Sequence, residues 1–150
     1  MISGAPPVQA EADRLIAMPK RRRDDTIWYF PGPGDSLKIP VIAVDKTEEF
    51  LIDIGRSRIV LNKVSYQARW QSVVILVRLD LAGAPHRNPD GAEIPCPHIH
   101  IYREGFADKW ARPLAAVEFS SSGDIVVVCD EFMTFCSVVD LPDVQRTLFT

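Results

Sequence analysis

The three histidines of this chain, His86, His98 and His100, fall within fifteen positions of one another. Imidazole changes charge near neutral pH and is the commonest metal ligand, so chemistry is expected where it clusters. The run from Gly83 to Gly105 adds Cys96, Asp90 and Arg103, with Arg78 and Asp80 just before it. Cysteine and aspartate widen the possible ligand set, and arginine can hold an anionic group.

Three uses fit these residues. In the first, His86, His98 and His100 are catalytic: one removes a proton, another donates one, and Arg78 or Arg103 binds the anion. Lys63, Arg69 and Lys109 are further cations for that role. This is the minimum for metal-independent cleavage of RNA, in which a 2′-hydroxyl attacks the neighbouring phosphate. In the second, His98 and His100 chelate zinc or another divalent transition metal, with Cys96, Asp80, His86 or Asp90 as third ligand. In the third there is no cofactor. The histidines are then satisfied within a stiff hairpin, and the protein is a binding or regulatory module whose partner is RNA or another protein. No Cys-x-x-Cys pair, His-Glu-x-x-His motif, phosphate-binding glycine loop or dinucleotide fingerprint adds a fourth chemistry.

The elements around the cluster must position it. Asn88-Pro-Asp-Gly91 is a turn signal, so Gly83–Pro95 is expected to be the tip of a hairpin joining strands Ser72–Leu81 and Cys96–Arg103. Alternate residues of a strand share a face, which places Cys96, His98, His100 and Tyr102 together. Ile99 and Ile101 then point to the core, and the histidines face a cleft or solvent. Whether Arg78 and Asp80 join them depends on a hairpin register that one residue of slip reverses.

Elsewhere, Val8, Ala12, Leu15 and Ile16 form a helical stripe within Pro7–Met18, ended by Pro19. Lys20-Arg-Arg-Arg-Asp-Asp25 reads as a solvated connector. Strands are expected at Ser36–Asp45, Glu49–Ile54, Arg58–Trp70, Leu114–Phe119 and Ile125–Cys129. Asp130 is placed to cap a C-terminal helix burying Phe132, Met133, Phe135, Cys136 and Val139, and Val144–Phe149 would form a last turn or two. The expected fold is α+β, a curved antiparallel β-sheet with an N-terminal helix and a C-terminal helix packed on one face. Residues 1–150 are taken as one domain: helix and connector over 1–35, mainly β over 36–129, and helical over 130–150.

Composition narrows the classes. Apolar residues make up 47% and charged residues 25%, which suits neither a disordered nor a membrane chain. No run reaches the roughly 20 apolar residues of a spanning helix, and the N-terminus lacks the pattern of a secretory leader. Three cysteines form no paired framework, so a reducing cytoplasm is expected. The net charge of -3 is unevenly spread. Residues 56–112 carry nine Lys/Arg and five Asp/Glu, whereas residues 113–150 carry one and six. A basic centre holding every histidine suits an anionic partner such as RNA.

From Arg78-Leu-Asp80 to Gly105, and again at Asp108-Lys-Trp110, the chain resembles a family of small bacterial proteins of unknown function. The block is Pro-His-x-Asn-Pro-Asp-Gly followed by Ile-Pro-Cys-Pro-His-x-His-x-Tyr-Arg-Glu-Gly, about 35 residues in all. Ala107 departs from it where a second glycine-like residue is expected. The Pro-His and Pro-His-x-His elements are also similar to small toxin–antitoxin proteins with a histidine cluster after a basic strand. That resemblance implies a nuclease-like activity and assigns no residue its role.

Overall fold

A computed structural model of the protein describes residues 4–115, 117–120 and 123–148. Its elements in chain order are α1 (Gln9–Ala17), β1 (Lys20–Arg22), β2 (Ile27–Tyr29), β3 (Ser36–Ala43), β4 (Glu49–Arg56), β5 (Val64–Trp70) and β6 (Val74–Asp80). There follow β7 (His86–Arg87), β8 (Glu93–Ile94), β9 (His98–Ile101), β10 (Ala111–Pro113), α2 (Ile125–Phe135), β11 (Val138–Asp140) and β12 (Asp143–Gln145). The fold is α+β, as the periodicities predict. An eight-stranded sheet runs in the order β10-β9-β6-β5-β4-β3-β1-β11. Its pairings are antiparallel except β1 with β11, which is parallel. No helix among the described residues is long and apolar enough to cross a membrane.

Register separates the two faces of the sheet. Ile54, Tyr66, Leu79 and Ile99 lie side by side across β4, β5, β6 and β9, each at most 1% exposed. They share one hydrophobic cluster with Ala12 and Leu15 of α1 and with Val128, Cys129, Phe132 and Met133 of α2. The Tyr66 hydroxyl donates to the Ile125 carbonyl at 2.6 Å, which fixes the start of α2 over β5.

The opposite face is polar. One row across the strands is Lys38, Asp53, Gln67, Arg78 and His100, and the next is Ser36, Gly55, Ser65, Asp80 and His98. The alternation seen in Leu61–Trp70 therefore sets up both faces, with β5 itself starting at Val64.

Several local expectations are corrected. Ile125–Cys129 is the first half of α2 rather than a strand, and Asp124 rather than Asp130 caps the helix. The Asp124 carboxylate accepts from the amides of Val126 and Val127, and burial of Val126, Val128 and Cys129 outweighs the weak strand preference of a β-branched run. Val139 belongs to β11, and β12 replaces the expected last helical turns up to residue 145. No strand forms over the described part of Leu114–Phe119; the strand there is β10, three residues earlier.

The charge run at Lys20 is the largest correction. Lys20–Arg22 is β1, inside the sheet, and Lys20 is 1% exposed. Its ammonium lies 2.7 Å from the Leu15 carbonyl, 3.0 Å from those of Ile16 and Met18, and 2.8 Å from that of Cys136. These are the carbonyls left over at the C-termini of α1 and α2, where a cation also meets the negative ends of both helix dipoles.

Candidate functional site

The site is assembled at the β9 end of the polar face. Antiparallel pairing of β6 with β9 sets Arg78 opposite His100 and Asp80 opposite His98. The register that spacing left open therefore puts both β6 residues beside the histidines. His98 Nε2 lies 3.1 Å and His100 Nε2 3.3 Å from the same atom, Asp80 Oδ2. The three candidate ligand atoms of Asp80, His98 and His100 all lie within 4.8 Å of one another.

Each imidazole is held from behind. His98 Nδ1 is 3.1 Å from the Ile94 carbonyl and His100 Nδ1 is 2.7 Å from that of Asp108. A carbonyl only accepts, so Nδ1 of His100 is the donor to Asp108, whereas His98 Nδ1 lies between the Ile94 carbonyl and the Cys96 thiol, a group that can donate. His98 Nε2 is within hydrogen-bonding distance of the Asp80 carboxylate, which only accepts, so a neutral ring cannot serve both its carbonyl and Asp80 at once unless the hydrogen is shared between them. His100 Nε2 is buried and makes no hydrogen bond, despite its 3.3 Å approach to Asp80.

Asp80 is ionised. Burial alone would raise its carboxyl, but the Arg78 guanidinium, by hydrogen bond and charge, and the Ser65 hydroxyl hold it well below the usual carboxylate range. Arg78 reaches Oδ2 at 2.9 Å and also pairs with Asp108 at 3.4 Å. Ser65 donates to Oδ1 at 2.9 Å. Arg78, Asp80 and Asp108 together thus carry one net negative charge.

A two-strand flap covers the cluster. β7 and β8 pair around the Asn88–Gly91 turn, in which the Gly91 amide donates to the Asn88 carbonyl at 2.8 Å. The Asn88 side chain, 6% exposed with its residue, exchanges two hydrogen bonds with the Ala111 backbone in β10. His86 Nε2 lies 2.7 Å from the Lys109 carbonyl, and its ring packs edge-on to His100 with centroids 4.6 Å apart. The expected hairpin is present, but it folds back onto β9 and β10. His98 is 2% and His100 1% exposed, so they do not face solvent.

The other sequence candidates take separate places. Cys96 Sγ lies 3.5 Å from His98 Nδ1, on the carbonyl side of the ring and away from Nε2. Burial, with the Asp80 charge, pushes its thiol up. Tyr102 leaves the histidine face: it is 3% exposed in the core cluster and its hydroxyl donates to the Pro7 carbonyl at 2.6 Å. Arg103 stands away from the cluster, its guanidinium 4.0 Å from the centre of the Trp110 ring. Arg69 pairs with Asp53 at 2.7 Å, further along the polar face. Asp90 is exposed and accepts from the Ala92 amide within its own turn. Ser65 and Asn88 were not anticipated. The period of β5 puts Ser65 on the polar face, but no local signal ties Asn88 to Ala111.

A cleft opens beside Asp80. Its volume is about 710 Å³, and its walls include Arg56, Lys63, Ser65, Gln67, Arg78, Gly83 and Cys96. Comparison with known proteins gives one match. A family model described as a family of unknown function, DUF6978, matches residues 8–138. No curated protein and no solved structure matches the chain.

Proposed function

For a chain that belongs to this family of unknown function, we propose that Asp80, His98 and His100 bind one divalent transition metal ion, with zinc the first candidate. The observation that carries the proposal is the convergence of two imidazole Nε2 atoms on one carboxylate oxygen, with His100 Nε2 buried and without a hydrogen bond. Both Nδ1 atoms face carbonyls and both Nε2 atoms face Asp80 Oδ2. One proton shared among the Nε2 atoms leaves the other lone pair against a carboxylate. A metal ion satisfies both lone pairs and the carboxylate at once.

The distances to the carboxylate agree. Ligands about 2.0–2.2 Å from a tetrahedral ion are roughly 3.3–3.5 Å apart, and a more open geometry shortens the edge to about 3 Å. The two edges to Asp80 Oδ2 are 3.1 and 3.3 Å, and all three ligand atoms lie within 4.8 Å of one another, so the two imidazoles would close on the ion by a small rotation. Backbone carbonyls behind both rings are the usual means of fixing the tautomer and aim of metal-binding histidines. Asp108 offsets the nearby Arg78 charge. Two imidazoles and one carboxylate leave at least one coordination position for water or a ligand, as in catalytic rather than purely structural centres.

Metal-independent RNA cleavage draws less support. It needs a phosphodiester to reach a ring nitrogen, and the flap leaves His98 and His100 almost wholly buried. A binding or regulatory role remains compatible with a bound metal, which would then stiffen the flap.

The test is elemental analysis of untagged protein. About one zinc, iron or other transition metal per chain is expected, and a His98→Ala/His100→Ala double variant that stays folded should lose it. Protein that is purified empty and fails to take up added zinc, iron(II), nickel or cobalt would remove the proposal.

A further inference from the structure

We infer that the cleft beside Asp80 is a binding site for a small phosphate-bearing ligand, with Lys63 as the cation that selects it. The inference goes beyond the metal centre, because the charges that define the cleft belong to the chain itself. Arg56, Lys63 and Arg78 line it against one carboxylate, Asp80. Its volume of about 710 Å³ suits a small molecule.

The three cations are not equivalent. Arg78 is committed to Asp80 and Asp108. Arg56 is 9% exposed and directs its guanidinium to the carbonyls of Pro31 and Leu61, at 3.2 and 3.4 Å, where it shapes the 57–63 loop. Lys63 forms no ion pair among the described residues.

Lys63 is exposed, and its side chain runs beside Gly83. Its stem lies over Gly83, where an added Cβ would come within 3.1 Å of Cε. Gly83 has φ +129°, a conformation that side-chain-bearing residues rarely adopt, so glycine here supplies both the turn and the groove for the lysine. A lysine with a packed stem and an unpaired head at the rim of a basic cleft is a prepared anion contact. Gln67 adds a side-chain amide that can donate to the remaining oxygens, while the Ser65 hydroxyl is already donated to Asp80. Arg56 and Lys63 against the Arg78–Asp80–Asp108 group leave one positive charge in excess, more with a metal on Asp80, which favours a phosphate over a neutral ligand.

Calorimetric titration of the whole chain with inorganic phosphate, glycerol 2-phosphate and acetate tests the inference, on metal-stripped and on zinc-treated protein. Both phosphates are expected to bind the metal-stripped protein, glycerol 2-phosphate at least as tightly as inorganic phosphate, and acetate far more weakly. Lys63→Gln should weaken phosphate binding by about tenfold or more, and Lys63→Arg should restore most of it. Gly83→Ala, checked for folding by circular dichroism, should weaken it as well. Equal binding of acetate, indifference to Lys63→Gln, or no phosphate binding would overturn the inference. The His98→Ala/His100→Ala variant separates the two proposals: it should lose metal and keep Lys63-dependent binding of phosphate.

Discussion

Asn88 and Ala111 hold each other by two hydrogen bonds, side-chain amide nitrogen to carbonyl at 2.9 Å and main-chain amide to side-chain oxygen at 2.8 Å. The pair fastens the β7–β8 flap to edge strand β10 and so keeps the histidine cluster away from water. Asn88→Ala leaves a buried amide and a buried carbonyl without partners. It should lower the unfolding free energy by about 2–3 kcal/mol and increase solvent access to the cluster. Chemical denaturation measures the first effect. Hydrogen exchange at the His98–Ile101 amides measures the second.

Metal and stability are coupled if the cluster binds an ion. Zinc at a hundred times its dissociation constant should stabilise the wild type by about 2.7 kcal/mol, and a chelator should reverse the shift. Asp80→Asn removes one ligand and the negative charge, so the zinc-dependent rise in melting temperature should be greatly reduced. A full zinc response in Asp80→Asn would exclude Asp80 as a ligand.

Lys20 gives a pH signature. Burial pushes its ammonium down to about 8 from an ordinary 10.5. Between those values the unfolded chain binds more protons than the folded one, so this group makes stability rise with pH from about 8 to 10.5. The buried thiols of Cys129 and Cys136 are pushed up and act in the opposite direction at alkaline pH. The contribution of Lys20 is therefore the difference between wild type and Lys20→Met, which should narrow as pH falls from 10.5 to 8. At pH 7 Lys20→Met should still cost about 2 kcal/mol, because carbonyls at two helix ends lose their donor. Urea denaturation across pH 7–10.5 checks both statements.

Ala107 has φ +52°, in the left-handed region, within the turn that returns Arg103 to Ala107. Glycine was expected near this position, and the backbone has the shape glycine prefers. Ala107→Gly should raise stability by up to about 1 kcal/mol, read as a higher melting temperature with unchanged metal content. A loss of stability would mean that relief of strain does not outweigh the freedom gained by the unfolded chain.

How much of this was legible depended on the range of the forces involved. Period-two alternation in β5 gave both sheet faces, because it is local and is enforced by burial. The Asn88–Gly91 turn was legible from proline and glycine at fixed offsets. The start of α2 was not: Ile125-Val-Val-Val128 has strand character, and a single cap at Asp124 together with contacts to Tyr66 decides for helix. Convergence of His98 and His100 on Asp80 depended on the β6–β9 register, which an irregular loop of sixteen or so residues does not fix. Burial of the histidines depended on Asn88 meeting Ala111, 23 positions away. Lys20 was misread because its partners are main-chain carbonyls, which leave no trace in residue type.

The two parallel pairings have a consequence for the order of assembly. β1 lies beside β11 and β2 beside β12, so early segments are completed by the latest ones. As the chain leaves the ribosome, the Lys20 ammonium lacks its last carbonyl until residue 136 has been made, and the outer edge of β1 lacks its partner until residue 138. β2 waits until residue 145. While residues 23–137 are made, the growing chain therefore carries an open sheet edge and an interior cation short of one of its four carbonyls, and both are closed as β11 arrives.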